Sequence, residues 1–248
     1  MLIMLRYLLY VLLTLASYNA LAKSVITLYV YHLKPPYILD VHEQTGLYFD
    51  VASLLNRVQD DVTYKTHYMP RKRLEKQLLD EQLDGMILGV NPLWFGDKHQ
   101  TRYLWSEALF GDVDDFVSPK SKPFEFAGIE TLKGKTLGGI RGYVYFAIDG
   151  IIATGEATRV DTSEEVQLLD MLAKERLDVA IVSRSTRRYL QTVHAWQDAF
   201  HISQIPHDAY KRHILAPRSR AEDFEFTVKL LSLPEVQAQL KLWALSLE

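Results

Sequence analysis

The sequence predicts an α/β protein of two similar lobes, each with a central, mostly parallel sheet. Three observations carry this expectation. First, Glu81-Gln82-Leu83-Asp84-Gly85-Met86-Ile87-Leu88 reappears as Glu175-Arg176-Leu177-Asp178-Val179-Ala180-Ile181-Val182. Each copy closes an amphipathic stretch, turns at Leu-Asp and opens an apolar run, as a helix does when it feeds a strand covered on both faces. Second, strand and helix patterns alternate from Val25 to Val90, the order that favours parallel pairing. Third, the two copies lie roughly a hundred residues apart, which suits two lobes with the working surface in the cleft between them.

The chain opens with Met1 to Arg6, an apolar run from Tyr7 to Ala16, and Ala20-Leu21-Ala22. One positive charge, a short apolar segment and a small-x-small site describe a secretory signal peptide over 1–22, cleaved after Ala22. A spanning helix needs about 20 apolar residues, and polar Ser17, Tyr18 and Asn19 arrive too early for that.

Val25 to Tyr31 alternates and is rich in β-branched and aromatic residues, so it reads as a strand. Lys34-Pro35-Pro36-Tyr37 stops it, because neither proline can donate to a ladder. Gly46 precedes a helix with Leu47, Val51, Leu54, Leu55 and Val58 on one side. Val62 to Tyr68 is the second strand, and Pro70 suits the first turn of a helix burying Leu74, Leu78 and Leu79. Strand Met86 to Val90 follows. Tyr103 to Phe110 and Asp115 to Ser118 read as extended, and Pro119 to Pro123 as a linker.

The second half repeats this logic with a strand Thr136 to Ile140, a turn at Arg141-Gly142-Tyr143 and a helix over Val144 to Thr154. Thr162-Ser163-Glu164-Glu165 matches a capping box, opening a helix that buries Val166, Leu169, Leu172 and Ala173. Strand Val179 to Val182 closes the unit. Tyr210 to Ala216 reads as a strand returning to the first lobe, followed by helices Ala221 to Leu231 and Pro234 to Trp243.

Composition removes several function classes. There are no cysteines, which excludes disulfides, thiolate metal sites and a cysteine nucleophile. The net charge of -3 argues against a sequence-independent nucleic-acid binder. Gly128 to Thr136 ends like a phosphate loop, but five residues separate Gly128 from Gly134 where four are needed, and a strand rather than a helix follows. The eight histidines form no pair at metal-ligand spacing, so neither metal nor cofactor is expected. His207-Asp208 has no nucleophile motif to partner it.

In parallel α/β sheets, ligands bind outside the carboxyl ends of strands. That position selects Tyr37, Arg71 and Arg73, Gly89, Asn91 with Trp94, then Arg141, Gly142 and Tyr143, and finally Ser183 with Arg184. An aromatic and arginine set of this kind suits a small polar or anionic solute through stacking and bidentate bonding.

The ordered set of Lys34-Pro35-Pro36-Tyr37, Gly46 with Asp50, Leu83-Asp84-Gly85, Tyr103 to Phe110, Leu132-Lys133-Gly134-Lys135 with Arg141-Gly142, and Leu177-Asp178 resembles the family 3 extracellular solute-binding proteins. Those are periplasmic receptors of polar amino-acid ABC transporters, and the resemblance covers nearly all the mature chain. It implies a type II periplasmic-binding-protein fold whose two lobes are joined by two hinge segments. These would cross near Gly111 to Ser118 and near His207 to Lys211, dividing the chain into 23–112 plus 210–248 and 113–209. It also implies a periplasmic, monomeric binding protein that docks on a membrane permease, with no enzymatic activity.

The departures bear on the ligand. Where the family places Thr-x-x-Arg for an α-carboxylate, this chain has Asn91-Pro92-Leu93-Trp94. Where it places an aspartate for an α-amino group, this chain has Ser183. Trp94, Tyr37 and Tyr143 are then expected to wall the ligand, and Arg73, Arg141 and Ser183 to bond it, with Arg73 or Arg141 as the substitute anion anchor. Two alternatives remain open. One is a periplasmic enzyme like the cyclohexadienyl dehydratases, for which Asp97 and His99 are the first-lobe candidates. The other is a ligand-sensing module for a membrane sensor kinase.

Overall fold

The computed structural model describes residues 23–145, 147–196 and 198–247; the segment 1–22, expected to be a signal peptide, lies outside them. Among the described residues no helix is long and apolar enough to cross a membrane.

The first lobe begins with β1 (Ser24–Val30), α1 (Leu47–Arg57), β2 (Val62–Tyr68), α2 (Arg71–Leu79) and β3 (Met86–Val90). β1 pairs in parallel with both β2 and β3. After a short β4 (Leu104–Trp105), the long strand β5 (Phe110–Pro119) carries the chain across to the second lobe. There β6 (Thr136–Ile140), α3 (Ile148–Ala153), β7 (Thr158–Thr162), α4 (Glu165–Ala173) and β8 (Val179–Ser183) repeat the parallel pattern, with β6 between β7 and β8. Helix α5 (Arg184–Val193) and β9 (Phe200–Ile202) lead into β10 (Asp208–Ala216), which returns to β3 and is followed by α6 (Ala221–Leu231) and α7 (Pro234–Leu247). The strand order is β2-β1-β3-β10-β5-β8-β6-β7. Antiparallel β10 and β5 are the two crossing strands, and their pairing joins the lobes.

Every residue of β3 and of β8 is buried, because each strand is covered on both faces. In the first lobe Ile26, Leu28 and Val30 pack with α1, α6 and α7, while Tyr29 and Tyr31 turn the other way to pack with α2. The second lobe divides in the same manner, Phe116 and Ile181 on one face and Val117, Ala180 and Val182 on the other. This is the period-two alternation of strands sandwiched between helices.

The doubled phrase has a physical basis. Glu81 and Glu175, its first residue in each copy, both adopt a left-handed backbone otherwise favoured by glycine, at φ 57° and 54°. In each copy the following amide bonds the carbonyl five residues back, Gln82 to Gln77 and Arg176 to Met171, both at 2.8 Å. Each helix thus ends in the same double-bonded reversal, which satisfies its last carbonyls and aims the chain at the strand. The two aspartates then tie down the turn, Asp84 accepting from the Tyr29 hydroxyl at 2.6 Å and Asp178 from the Thr136 amide at 2.7 Å.

Several local expectations are corrected. Pro70 caps α2 from outside its first turn. Leu79 is 63% exposed, because the buried stripe of this short helix holds only Leu74 and Leu78. The helix expected over Val144 to Thr154 begins only at Ile148. The capping box does not form: the Thr162 hydroxyl bonds the Glu164 carbonyl at 2.9 Å, and Glu165 turns its carboxylate inward instead. Helix α4 accordingly buries Leu168, Leu169 and Leu172, leaving Val166 half-buried and Ala173 exposed.

Replacing Glu81 by glycine removes the left-handed penalty at the helix end while keeping the backbone bonds. The E81G protein is expected to be more stable by about 0.5–1 kcal/mol, measured by urea unfolding, the gain being reduced by glycine's freedom in the unfolded chain.

Candidate ligand-binding site

The site grows from the crossing strands. On β5 and β10, side chains two apart share a face, which places Asp112 and Asp114 beside Tyr210 and Arg212. Arg212 is wholly buried, although a guanidinium out of water is costly unless fully engaged. It is engaged on several sides. Its Nη1 donates to the Gly89 carbonyl at 3.0 Å, and Nη2 to the Tyr210 hydroxyl at 3.1 Å and Asp112 at 3.4 Å. Its Cζ lies 4.3, 5.0 and 5.5 Å from the ring centroids of Tyr37, Tyr210 and Trp94, within cation–π range. Gly89 suits this place because its φ is +81° and a Cβ there would meet the Tyr48 hydroxyl at 1.9 Å.

Asp112 is the opposite pole. Its carboxylate accepts from the hydroxyls of Tyr37 (2.8 Å), Ser183 (2.7 Å) and Ser185 (2.8 Å), besides Arg212. Burial works against its charge, but Arg212, Lys34 and the serine hydroxyls outweigh that and hold its pKa well below the usual carboxylate range. Tyr37 belongs to the first lobe's loop, and Ser183 and Ser185 to the second lobe's β8 and α5, so one carboxylate bonds both lobes.

Above this floor lies a cavity of about 220 Å³. Its first-lobe side includes His32, Lys34 and Trp94, and its second-lobe side Tyr143, Tyr145 and Glu165. The lobes touch across it. Lys34 Nζ meets Glu165 Oε1 at 2.9 Å, and the Thr186 hydroxyl donates to the Pro35 carbonyl at 2.6 Å. Burial works against the Lys34 charge, and the Glu165 carboxylate more than offsets it, raising the ammonium's pKa. His32 stays neutral: burial first, then Arg212, Lys34 and Arg71, push its pKa well down.

Of the residues singled out from sequence, Trp94 and Tyr143 line this cavity. Tyr37 and Ser183 lie beneath it as partners of Asp112. Asn91 is one step removed. Its side chain caps the turn Pro92–Phe95 by accepting from the Leu93 amide at 2.9 Å and donates to the Lys211 carbonyl at 2.9 Å, thereby positioning Trp94. Arg73 does not reach the cavity; it is exposed on the first turn of α2, and Arg71, two residues earlier, faces inward instead. Arg141 and Gly142 are also exposed and outside the lining. Gly142 serves a turn, with φ +81° and open space where a Cβ would stand.

The enzyme candidates fall elsewhere. Asp97 is buried as the organiser of its own loop, accepting from the amides of Thr101, Arg102 and Tyr103 and from the Trp105 indole. His99 is exposed and lines no part of the cavity.

Lys34, Glu165, Asp114 and Arg212 were not selected by sequence position. Lys34 stood in a strand-stopping motif and Glu165 in an apparent cap. Arg212 did leave a signal, a charge two residues from Tyr210 and from Ile214 and so on the buried face of its strand.

Two substitutions test these networks. D112N leaves Arg212 buried without its carboxylate and is expected to cost about 3–5 kcal/mol in urea unfolding. Burial opposes the charge of Asp97, but its indole and amide donors prevail and lower its pKa to about 2. A depressed folded-state pKa gives stability that is full above the unfolded value and lost as pH falls through the folded one. Wild-type stability is therefore expected to decline between about pH 4 and about pH 2 more steeply than that of D97N, followed by circular dichroism at each pH.

The sequence matches no protein-family model and no curated protein. Solved structures do match. A mutant of the arginine-binding protein ArgBP from T. maritima aligns with a TM-score of 0.67 at 17% identity, over 88% of this chain and 93% of that one. A histidine kinase sensor domain with similarity to periplasmic binding proteins gives 0.69 at 16%, over 89% and 94%. A periplasmic protein of high arginine specificity from Salmonella typhimurium gives 0.61 at 14%, over 88% and 97%. At such identities the likeness speaks for architecture: the chain has the two-lobed fold of the type II periplasmic binding proteins.

Proposed function

We propose that this protein captures a small polar solute in the cavity between its lobes, which close over it about β5 and β10. The observation that carries this reading is the cavity's position, walled by Trp94 and Lys34 from one lobe and Tyr143 and Glu165 from the other. A ligand there is enclosed only when both lobes are in place, which is how such a fold converts binding into a change of shape. We take the lobes as 23–112 with 210–248 and as 113–209, and the working location as the periplasm, reached by a signal peptide cleaved after Ala22. The loaded monomer would then be delivered to a membrane permease of the ABC type.

A second reading keeps the same capture but sends the signal to a separate membrane sensor kinase. The sensor domain among the structural neighbours favours keeping it in view. The enzymatic alternative has less support, since Asp97 and His99 do not line the cavity.

A thermal-shift screen of the mature protein over amino acids, organic acids, amines, sugars and nucleobases tests the reading, because a bound solute raises apparent stability by mass action. Trp94→Ala and Tyr143→Ala are each expected to weaken the best hit by about tenfold, the usual worth of a stacked aromatic wall. Conversion of a hit, seen by mass spectrometry, would replace binding with catalysis.

A further inference from the structure

We propose that the ligand is an uncharged, hydrogen-bonding ring solute, because the chain has already paired the principal charges of the cleft with one another. The inference rests on the solute-binding reading and narrows it. A receptor for a charged solute must keep counter-charges free to meet it, since a buried ion without a partner is strongly disfavoured.

Here the charges are spent internally. Lys34 is bound to Glu165 at 2.9 Å, the two side chains being 8% and 5% exposed, and the second Glu165 oxygen accepts the Ser183 amide at 3.2 Å. A ligand carboxylate could reach Lys34 only by competing with Glu165, and a ligand amine could reach Glu165 only by competing with Lys34. Arg212 is held by Gly89, Tyr210 and Asp112 and fills its own aromatic cage, where a cationic ligand would otherwise stack. Arg71 is held by Glu75 at 2.8 Å and by the Trp94 carbonyl at 2.7 Å. Asp114 accepts the Tyr210 hydroxyl at 3.0 Å; burial raises its pKa, and the nearby Asp112 adds to this against the pull of Lys34. Asp208 has no cationic partner among the described residues, but it stands half-buried and also borders a wide outer groove.

Apart from Asp208 at the rim and the Nε of Arg212, which has no partner among the described residues, what the cavity still offers is neutral. The Tyr143 hydroxyl makes no hydrogen bond among the described residues, and it faces a space whose other walls include Trp94 and the neutral imidazole of His32. Flat aromatic walls with a phenol donor suit a planar ring bearing amide-like edges.

The test uses probes that share a ring and differ in charge: nicotinamide, nicotinate and 1-methylnicotinamide, with uracil and orotate as a second set, measured by calorimetry beside the wider thermal-shift panel. The neutral members are expected to bind the wild type at least tenfold more tightly than their charged counterparts, and the tightest solute of the panel to be uncharged. Lys34→Met frees Glu165 and is expected to gain 1-methylnicotinamide; Glu165→Gln frees Lys34 and is expected to gain nicotinate. Circular dichroism confirms that both variants fold. A charged solute that binds the wild type as tightly as the best neutral one overturns this inference and leaves solute capture standing. No binding of any panel member to wild type or variants overturns both.

Discussion

The constraint on which the structure depends is a buried guanidinium where two strands cross. Once Arg212 is placed inside, its surroundings are no longer free to vary: carbonyl, hydroxyl and carboxylate must converge on it, and aromatic faces must cover it. Gly89 follows from this, since only a bare backbone leaves room for Tyr48 beneath the same carbonyl. Asp112 follows as well, and through Asp112 come Tyr37, Ser183 and Ser185. The region where the lobes meet is thus organised by charge and hydrogen bonds, whereas each lobe's interior is held by apolar packing. Such a division suits a joint. Polar contacts are directional and can be exchanged for water, while packed cores resist deformation and move as units.

Much of the architecture was legible in the sequence because it rests on periodicity. Val62–Tyr68, Met86–Val90 and Thr136–Ile140 occupy the strand spans read from the sequence, and Ala221–Leu231 the helix span read there. The doubled phrase pointed to two lobes because the same helix-end geometry was required twice. Failures came where two local meanings competed. Thr162 to Glu165 has the spacing of a cap, yet Glu165 gains more from Lys34 across the cleft than from a helix end of its own.

The site was legible in outline only. Positions after strands led to Trp94 and Tyr143, which line the cavity, and to Tyr37 and Ser183 just below it. The same rule led to Arg73 and Arg141, which face solvent, because a rule of topology locates a loop and not the direction of each side chain in it. Lys34 and Glu165 meet across 131 residues of sequence. No local pattern announces such a pair; it exists only once the lobes have been brought together.

That pair also changes what salt does to this protein. When the lobes part, Lys34 and Glu165 are separated and returned to water, where mobile ions screen each of them; when the lobes close, they are shielded from those ions. Ionic strength is therefore expected to act on any parting of the lobes through the Lys34–Glu165 pair. For the solute capture proposed above, closure would then respond to salt even where the solute itself carries no charge.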